Sequence, residues 1–367
     1  MNWWSLLSAA DKAALLQWAT PDKAADVLMR LANTHAPSQT PAWTRAEVIA
    51  HWWADVVTTE HDVTCAAAWD MNFQGTGNGV LQLGEHPNKV WLVAHWDTIS
   101  YLIGDKKGDA FALVPFCLHT KKHGQERAAV LGYNADKRTY EVVAKGILHG
   151  GEVATFVPDD PSITLRAGQR VVFDTPVEAL GGDLYSGQFD NAAGCAAVLL
   201  AAAFLLRFNV SLLVALTDEE EGVLATGNTS FSRGMQRLMA RMPAPEYAIV
   251  SDLHTVFDRT DLGKGASFRE YASQTKGAVT PPWLYETLRD LAAHTVPDIV
   301  LQAQTDNVSR SDDVSLMHAT PNVMLCGVPA VGRHYAEGAD VVSSDDVAQL
   351  ARALVLLVLA IQRDWQF

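Results

Sequence analysis

The chain has 367 residues, with 42 acidic against 28 basic side chains and a formal charge of −14 at neutral pH. Hydrophobic residues make up 49% and charged residues 19%, which suits a chain with a sizeable buried core and excludes wholesale disorder. The acidity argues against nucleic acid or anionic membrane as partners, because like charge would first have to be overcome.

Apolar residues recur at helical spacing over 1–60 (Leu6, Leu7, Ala10, Ala13, Leu16, then Val27, Leu28, Leu31). Pro21, Pro37 and Pro41 divide that region into two or three helices. Its tryptophans (Trp3, Trp4, Trp18, Trp43, Trp52, Trp53) are expected in the core rather than at a second interface. Residues 79–83 and 90–94 read as strands joined by His86-Pro87-Asn88. From about 104 to 176 the texture changes to short β-rich runs (111–116, 128–132, 140–144, 170–173) separated by turn residues, which predicts a small inserted β module.

Helix and strand then alternate: helices at 192–207, 235–242, 282–295, 313–319 and 344–363, and strands at 211–216, 247–251, 299–303 and 322–326. This pattern predicts an α/β fold with a mostly parallel or mixed central sheet flanked by helices. The expected division is 1–103 for the N-terminal helices and first part of the α/β domain, 104–176 for the β-rich insert and 177–367 for the remainder.

The four cysteines (Cys65, Cys117, Cys195, Cys326) form no CxxC pair and read as reduced structural thiols. The opening residues carry no signal-peptide pattern, and the longest apolar stretches, 195–206 and 353–361, are too short to span a bilayer. N-x-S/T matches at Asn209, Asn228 and Asn307 are then chance, and a cytoplasmic protein is expected.

In an open α/β sheet ligands collect at the carboxyl ends of the strands. Metal-capable side chains recur there: His95-Trp96-Asp97 after 90–94, Asp218-Glu219-Glu220-Glu221 after 211–216, Asp252 after 247–251, and Gly332-Arg333-His334 beyond Cys326. Asp190 stands at the entry to the apolar helix. Taken singly, Asp190 reads as a helix N-cap and His95 as a surface imidazole near a carboxylate. Taken together they reverse the odds, because consecutive acids behind an apolar strand require a positive charge, which a divalent cation provides. Two imidazoles and three carboxylates suffice for two metals if one carboxylate bridges. A carboxylate two residues after a ligating His can fix its tautomer, and a Glu beside a ligand Glu can take a proton from water.

The order H-x-D, D-N-x-x-G, E-E-x-G, D, H resembles the dinuclear aminopeptidases of the MH clan, most closely the M42 family of glutamyl and TET-type aminopeptidases. The 95 residues between His95 and Asp190 leave room for the β domain that M42 enzymes insert there, so the resemblance covers roughly 75–362. It implies that His95 and Asp252 bind one metal, Glu220 and His334 the other, and that Asp190 bridges. Asp97 would orient His95 and Glu219 would be the general base, with Glu220/Glu221 as the alternative register. The resemblance further implies two divalent ions, usually zinc with cobalt or manganese as alternatives, and attack of a bridging hydroxide on the peptide carbonyl. Peptide substrates and a homo-oligomer complete what it implies. An amidohydrolase or deacylase, a carboxypeptidase-like M20 or M28 hydrolase and a non-catalytic metal-binding protein are the competing readings. The chain departs from the family pattern at residues 223–227, at Asn191-Ala192-Ala193 and at Tyr335-Ala336. Asp312 or Asp313 is expected to cap the next helix or lie near the site, and His254 to be either pocket wall or bystander. His119, His123 and His149 read as surface residues of the β module, and the glycine loop 75–79 as a weak phosphate-loop match.

Overall fold

Side chains alternate between two surfaces along the strand that ends at His95. Leu92 and Ala94 join the larger core, whereas Trp91 and Val93 join the core on the opposite face. Such a strand belongs inside a sheet covered on both sides. The computed structural model describes residues 2–60, 68–117, 120–222, 232–304, 310–334 and 338–363. Cys65, His119, residues 223–227, the motifs at Asn228 and Asn307, and Tyr335-Ala336 lie outside the described residues.

Helices α1 (Ala9–Trp18), α2 (Pro21–Ala32) and α3 (Arg45–Glu60) precede strands β1 (Gly79–Leu83) and β2 (Val90–His95). Ser8 and Thr20 cap the first two helices through their hydroxyls, and Pro21 occupies the first turn of α2, where it costs no hydrogen bond. The β-rich segment comprises β3 (Ser100–Lys107), β4 (Ala110–Phe116), β5 (Gln125–Asn134), β6 (Thr139–His149), β7 (Thr155–Pro158) and β8 (Arg170–Phe173). These strands close into a barrel in the order β3-β4-β7-β6-β5-β8. Its interior is filled by Tyr101, Ile103, Phe111, Leu113, Val130, Leu148, Phe156 and Val171, so it is a packed core and not a channel. The first barrel strand begins at Ser100, within the stretch the sequence pattern assigned to the preceding segment, because the chain pairs again only five residues after His95.

After β9 (Glu178–Gly181) and β10 (Leu184–Gly187) come α4 (Ala192–Leu205), β11 (Leu212–Thr217), α5 (Arg233–Met239) and β12 (Tyr247–Thr255). The remaining elements are β13 (Ala266–Arg269), α6 (Pro282–Thr295), β14 (Leu301–Ala303), α7 (Asp313–Leu316), β15 (Val323–Val331), β16 (Asp340–Ser343) and α8 (Ser344–Gln362). The main sheet runs β1-β11-β2-β12-β15-β16-β10-β9. Its centre (β11, β2, β12, β15) is parallel and its outer pairs are antiparallel, so the sheet is mixed.

On one face α4 and α8 pack together, covered in turn by the N-terminal helices. Every residue of α4 is buried, as expected of a helix that is apolar on all sides. The Trp18 indole N–H donates to the Leu200 carbonyl at 2.9 Å, tying α1 to that helix. Trp3, Trp18, Trp52 and Trp53 are buried and Trp4 partly so, whereas Trp43 is exposed. The first sixty residues are therefore an outer layer of the core.

Candidate metal centre

The central parallel strands deliver their carboxyl ends to one edge of the sheet. His95 is the last residue of β2, and β11 ends at Thr217, directly before the acidic run. β12 pairs with β2 only as far as Val250 opposite Val93, so Asp252 projects past that pairing to where His95 stands. β15 leads through Gly332, at φ +81°, to Arg333 and His334. Asp190 sits just ahead of α4, but the cap of that helix is Asn191, whose side chain accepts from Gly194 N at 2.9 Å and donates to Ser251 O at 2.8 Å. The Asp190 carboxylate is thereby free for another task.

Five of the candidate ligands converge. His95 Nε2 lies 3.1 Å from Asp190 Oδ1 and 3.5 Å from Asp252 Oδ1, and His334 Nε2 lies 2.9 Å from Asp190 Oδ2 and 3.1 Å from Glu221 Oε1. Two donor triads share Asp190, His95–Asp190–Asp252 and Asp190–Glu221–His334, and a third, His95–Glu220–Glu221, lies beside them; the ligand atoms of each are within 4.8 Å of one another. His95 Nε2, Asp190 Oδ1, Glu221 Oε1 and Asp252 Oδ2 are buried and make no hydrogen bond among the described residues. Buried acceptors turned towards one another without a donor are costly unless a cation stands between them. The residues present therefore fit divalent ions, and mixed imidazole and carboxylate donors admit zinc, cobalt or manganese alike.

The acidic run splits three ways. Glu221 faces His334, and Glu220 Oε2 is 3.9 Å from His95 Nε2. Glu219, at φ +59°, turns away from the cluster: its carboxylate takes Arg237 Nη1 at 2.9 Å and pairs with Arg233. The preferred sequence register has Glu219 as base and Glu220 as ligand; in this geometry Glu219 pairs with two arginines and Glu221 is the glutamate that faces His334. Asp218 carries the run's backing: Gln39 N donates to it at 2.8 Å, and a Cβ on Gly77 would lie 2.8 Å from its Oδ2. The glycine loop is thus packed against this carboxylate.

Asp97 holds both sides of the centre. The His95 ring Nδ1 lies 3.2 Å from its backbone carbonyl and 3.5 Å from its carboxylate, and that carboxylate accepts the backbone N–H groups of Glu220 and Glu221, each at 3.2 Å. Ser38, from the N-terminal layer, donates to the same carboxylate at 2.6 Å. Asp340 accepts the backbone N–H groups of Phe189 (2.9 Å) and Asp190 (3.3 Å). Asp312 takes hydroxyl hydrogen bonds from Thr217 and Ser232 rather than capping α7, while Asp313 accepts from Ala278 N and Ser311 N. His254 is buried inside β12, with Nδ1 2.6 Å from Ser267 Oγ. His123 is exposed and His149 half-buried. Ser38, Arg333 and Asp340 escaped sequence reading because each acts on the site from a distant or unlikely position; the only signal was an arginine beside His334.

The electrostatics describe an excess of negative charge. Burial drags the His95 imidazole down, but Glu220 and the close carboxylates of Asp190, Asp252 and Asp97 outweigh it and hold the ring well above its ordinary value. Burial likewise opposes the charged form of His334, yet Glu221 and Asp190 lift it to about 9. Burial, reinforced by Glu221 and Asp252, raises Glu220 well above the carboxylate range. Asp190 alone is pulled well below it: burial is overcome by Arg333, His334 and His95. A cluster that draws in protons this way is one that would accept cations.

The sequence pattern of the M42 glutamyl aminopeptidases matches residues 159–352, more than half of the chain. The chain belongs to the M42 glutamyl aminopeptidase family. No curated protein matches it by sequence. Solved structures share the fold. The Pyrococcus horikoshii TET1 peptidase aligns at a TM-score of 0.70 with 16% identity, covering 91% of this chain and 99% of that one. The TET aminopeptidase of a marine-sediment thaumarchaeon gives 0.71 at 15% identity (93% and 96% covered), and an aminopeptidase of Desulfurococcus kamchatkensis gives 0.67 at 18% (94% and 95%). As an M42 enzyme the protein is a metal-dependent aminopeptidase.

Proposed function

We propose that this M42 aminopeptidase removes N-terminal residues from peptides at a dinuclear centre built on the two triads, with the carboxylate register moved one residue along the acidic run. His95 and Asp252 would hold one ion, Glu221 and His334 the other, and Asp190 would give one oxygen to each. When bound, two divalent ions supply a water that ionises at neutral pH and polarise the scissile carbonyl. Zinc is the favoured metal, with cobalt or manganese as alternatives.

The chain's own residues do the rest. Glu220 stands 3.9 Å from His95 Nε2 and next to Glu221 without belonging to either triad that shares Asp190, a place that suits a group that takes a proton from the attacking water and passes it to the departing amine. Asp97 fixes the His95 ring and the backbone of both glutamates, so ligand and base keep one geometry. A free peptide amino terminus is cationic, and the surplus of buried carboxylates attracts it, which accounts for exopeptidase rather than endopeptidase action.

A homo-oligomer is part of the proposal. The Pyrococcus horikoshii TET1 peptidase is described as assembling into a tetrahedron or a large octahedral shell. Exposed Phe257, Val153 and Val296 offer apolar contacts for assembly. A reducing cytoplasm suits the buried cysteines Cys195 and Cys326, which form no disulfide among the described residues. Among the described residues no helix is long and apolar enough to cross a membrane.

The observation that carries the reading is the pair of triads meeting at Asp190 with unsatisfied buried acceptors. Metal analysis of the dialysed protein is expected to find two ions per chain, and Asp190→Ala to lose both. Aminoacyl anilides should be cleaved and their N-acetyl counterparts left intact. Cleavage of blocked substrates alone would make the enzyme a deacylase and overturn the proposal.

A further inference from the structure

Arg333 is the residue that the proposed centre does not use. Its guanidinium places Nε 2.6 Å from Asp190 Oδ2 and Nη2 3.6 Å from Asp252 Oδ2, so one cation touches two ligands of the same triad. The contested oxygen, Asp190 Oδ2, also lies 2.9 Å from His334 Nε2, in the second triad. The Arg333 side chain is only 11% exposed, and among the described residues its Nη1 is buried without a hydrogen bond. The group is therefore positioned by the two carboxylates, not by a partner behind it. We propose that Arg333 is a resident counter-cation of the metal centre: it holds Asp190 and Asp252 together before ions arrive and weakens the affinity for those ions by contesting the same oxygens.

A guanidinium does not deprotonate in proteins, so Arg333 keeps its full charge beside the arriving cations. It therefore acts in opposite directions on the two states. Without metal it neutralises carboxylates that would repel one another; with metal it adds like-charge repulsion at contact distance. A side chain that merely packed would stabilise both states together.

This inference rests on the dinuclear reading, and the experiment separates the two. The full-length chain is stripped with a chelator, titrated with zinc by calorimetry and melted with and without zinc. Wild type is expected to take up two equivalents; uptake of none would sink the centre itself. Given two, Arg333→Gln is expected to bind zinc at least about tenfold more tightly while its stripped form melts below wild type. Arg333→Lys keeps the charge and should bind within about threefold of wild type. Unchanged or weaker binding by Arg333→Gln, a stripped form as stable as wild type, or an Arg333→Lys variant that behaves like Arg333→Gln would each overturn the role of Arg333 and leave the centre standing. If Arg333→Gln does not fold when stripped, the Lys variant and zinc competition on the loaded Gln variant decide the same point: weak retention there also refutes it.

Discussion

Replacing the three consecutive glutamates one at a time by glutamine tests the carboxylate register directly. In Glu219→Gln the amide can still accept from Arg237, and Arg233 and Arg237 have side chains 32% and 37% exposed, so water can take up what is lost. The stability cost is therefore about 1–2 kcal/mol, well below that of breaking a wholly buried pair. Activity should remain within about threefold of wild type, since the Glu219 carboxylate is held by Arg233 and Arg237 rather than by the cluster. Glu220→Gln removes the proton acceptor but neither triad sharing Asp190. It should retain two ions and lose roughly 10²–10⁴ in kcat, or about 3–5 kcal/mol of transition-state stabilisation. Glu221→Gln takes a carboxylate from beside His334 and should lose one ion, and activity with it. Metal content, kcat on an aminoacyl anilide and urea unfolding are measured on all three. The reasoning fails if Glu219→Gln keeps both ions and its stability yet loses turnover, while Glu220→Gln remains active.

Ser38→Ala deletes the 2.6 Å hydrogen bond to Asp97; kcat should fall about 3–10-fold with metal content unchanged and Ser38→Thr restoring it, and full activity in the alanine variant would show that the N-terminal layer does not steady the centre. Trp18→Ala removes a buried indole and its bond to Leu200, and should cost about 3–5 kcal/mol in urea unfolding; a loss below about 1 kcal/mol would make the outer helices peripheral. Burial lifts Asp346 from 3.8 to about 7, against the pull of the Gly263 and Gly265 amides. Between those values the folded chain binds a proton that the unfolded chain has released, so the stabilisation is present at low pH and is lost as pH rises towards 7. The advantage of wild type over Asp346→Asn should therefore shrink between pH 5 and pH 8, and a widening gap in melting temperature would contradict that sign.

The part of the centre legible in the sequence was what strand periodicity exposes. His95 and Asp97 follow an apolar strand at once, and Asp252 continues another, so the end of the sheet could be located without coordinates. The glutamate run resisted the same treatment because the chain leaves the β conformation after Thr217, and alternation no longer says which carboxylate points where. Asp190 and Asn191 illustrate a second limit. Both residue types cap helices equally well, and only the tertiary contact from Asn191 to Ser251 decides which one does. Ser38 and Asp340 lie 59 and 150 residues in sequence from the groups they hold, and no local pattern encodes pairings that long. The barrel was easier, because its turn-rich texture contrasts with the helices around it.

The wholly enclosed helix α4 has a consequence for how this enzyme can diversify. It begins directly after Asp190 and Asn191, and its first stretch, Ala192 to Ala197, is alanine with one glycine and one cysteine and leaves almost no side chain to be shortened or rerouted. Any enlargement there would push the sheet and α8 apart and displace Asp190 with them. The ground beneath Asp190 is thus closed to innovation, and new substrate tastes have to be acquired from the segments overhead.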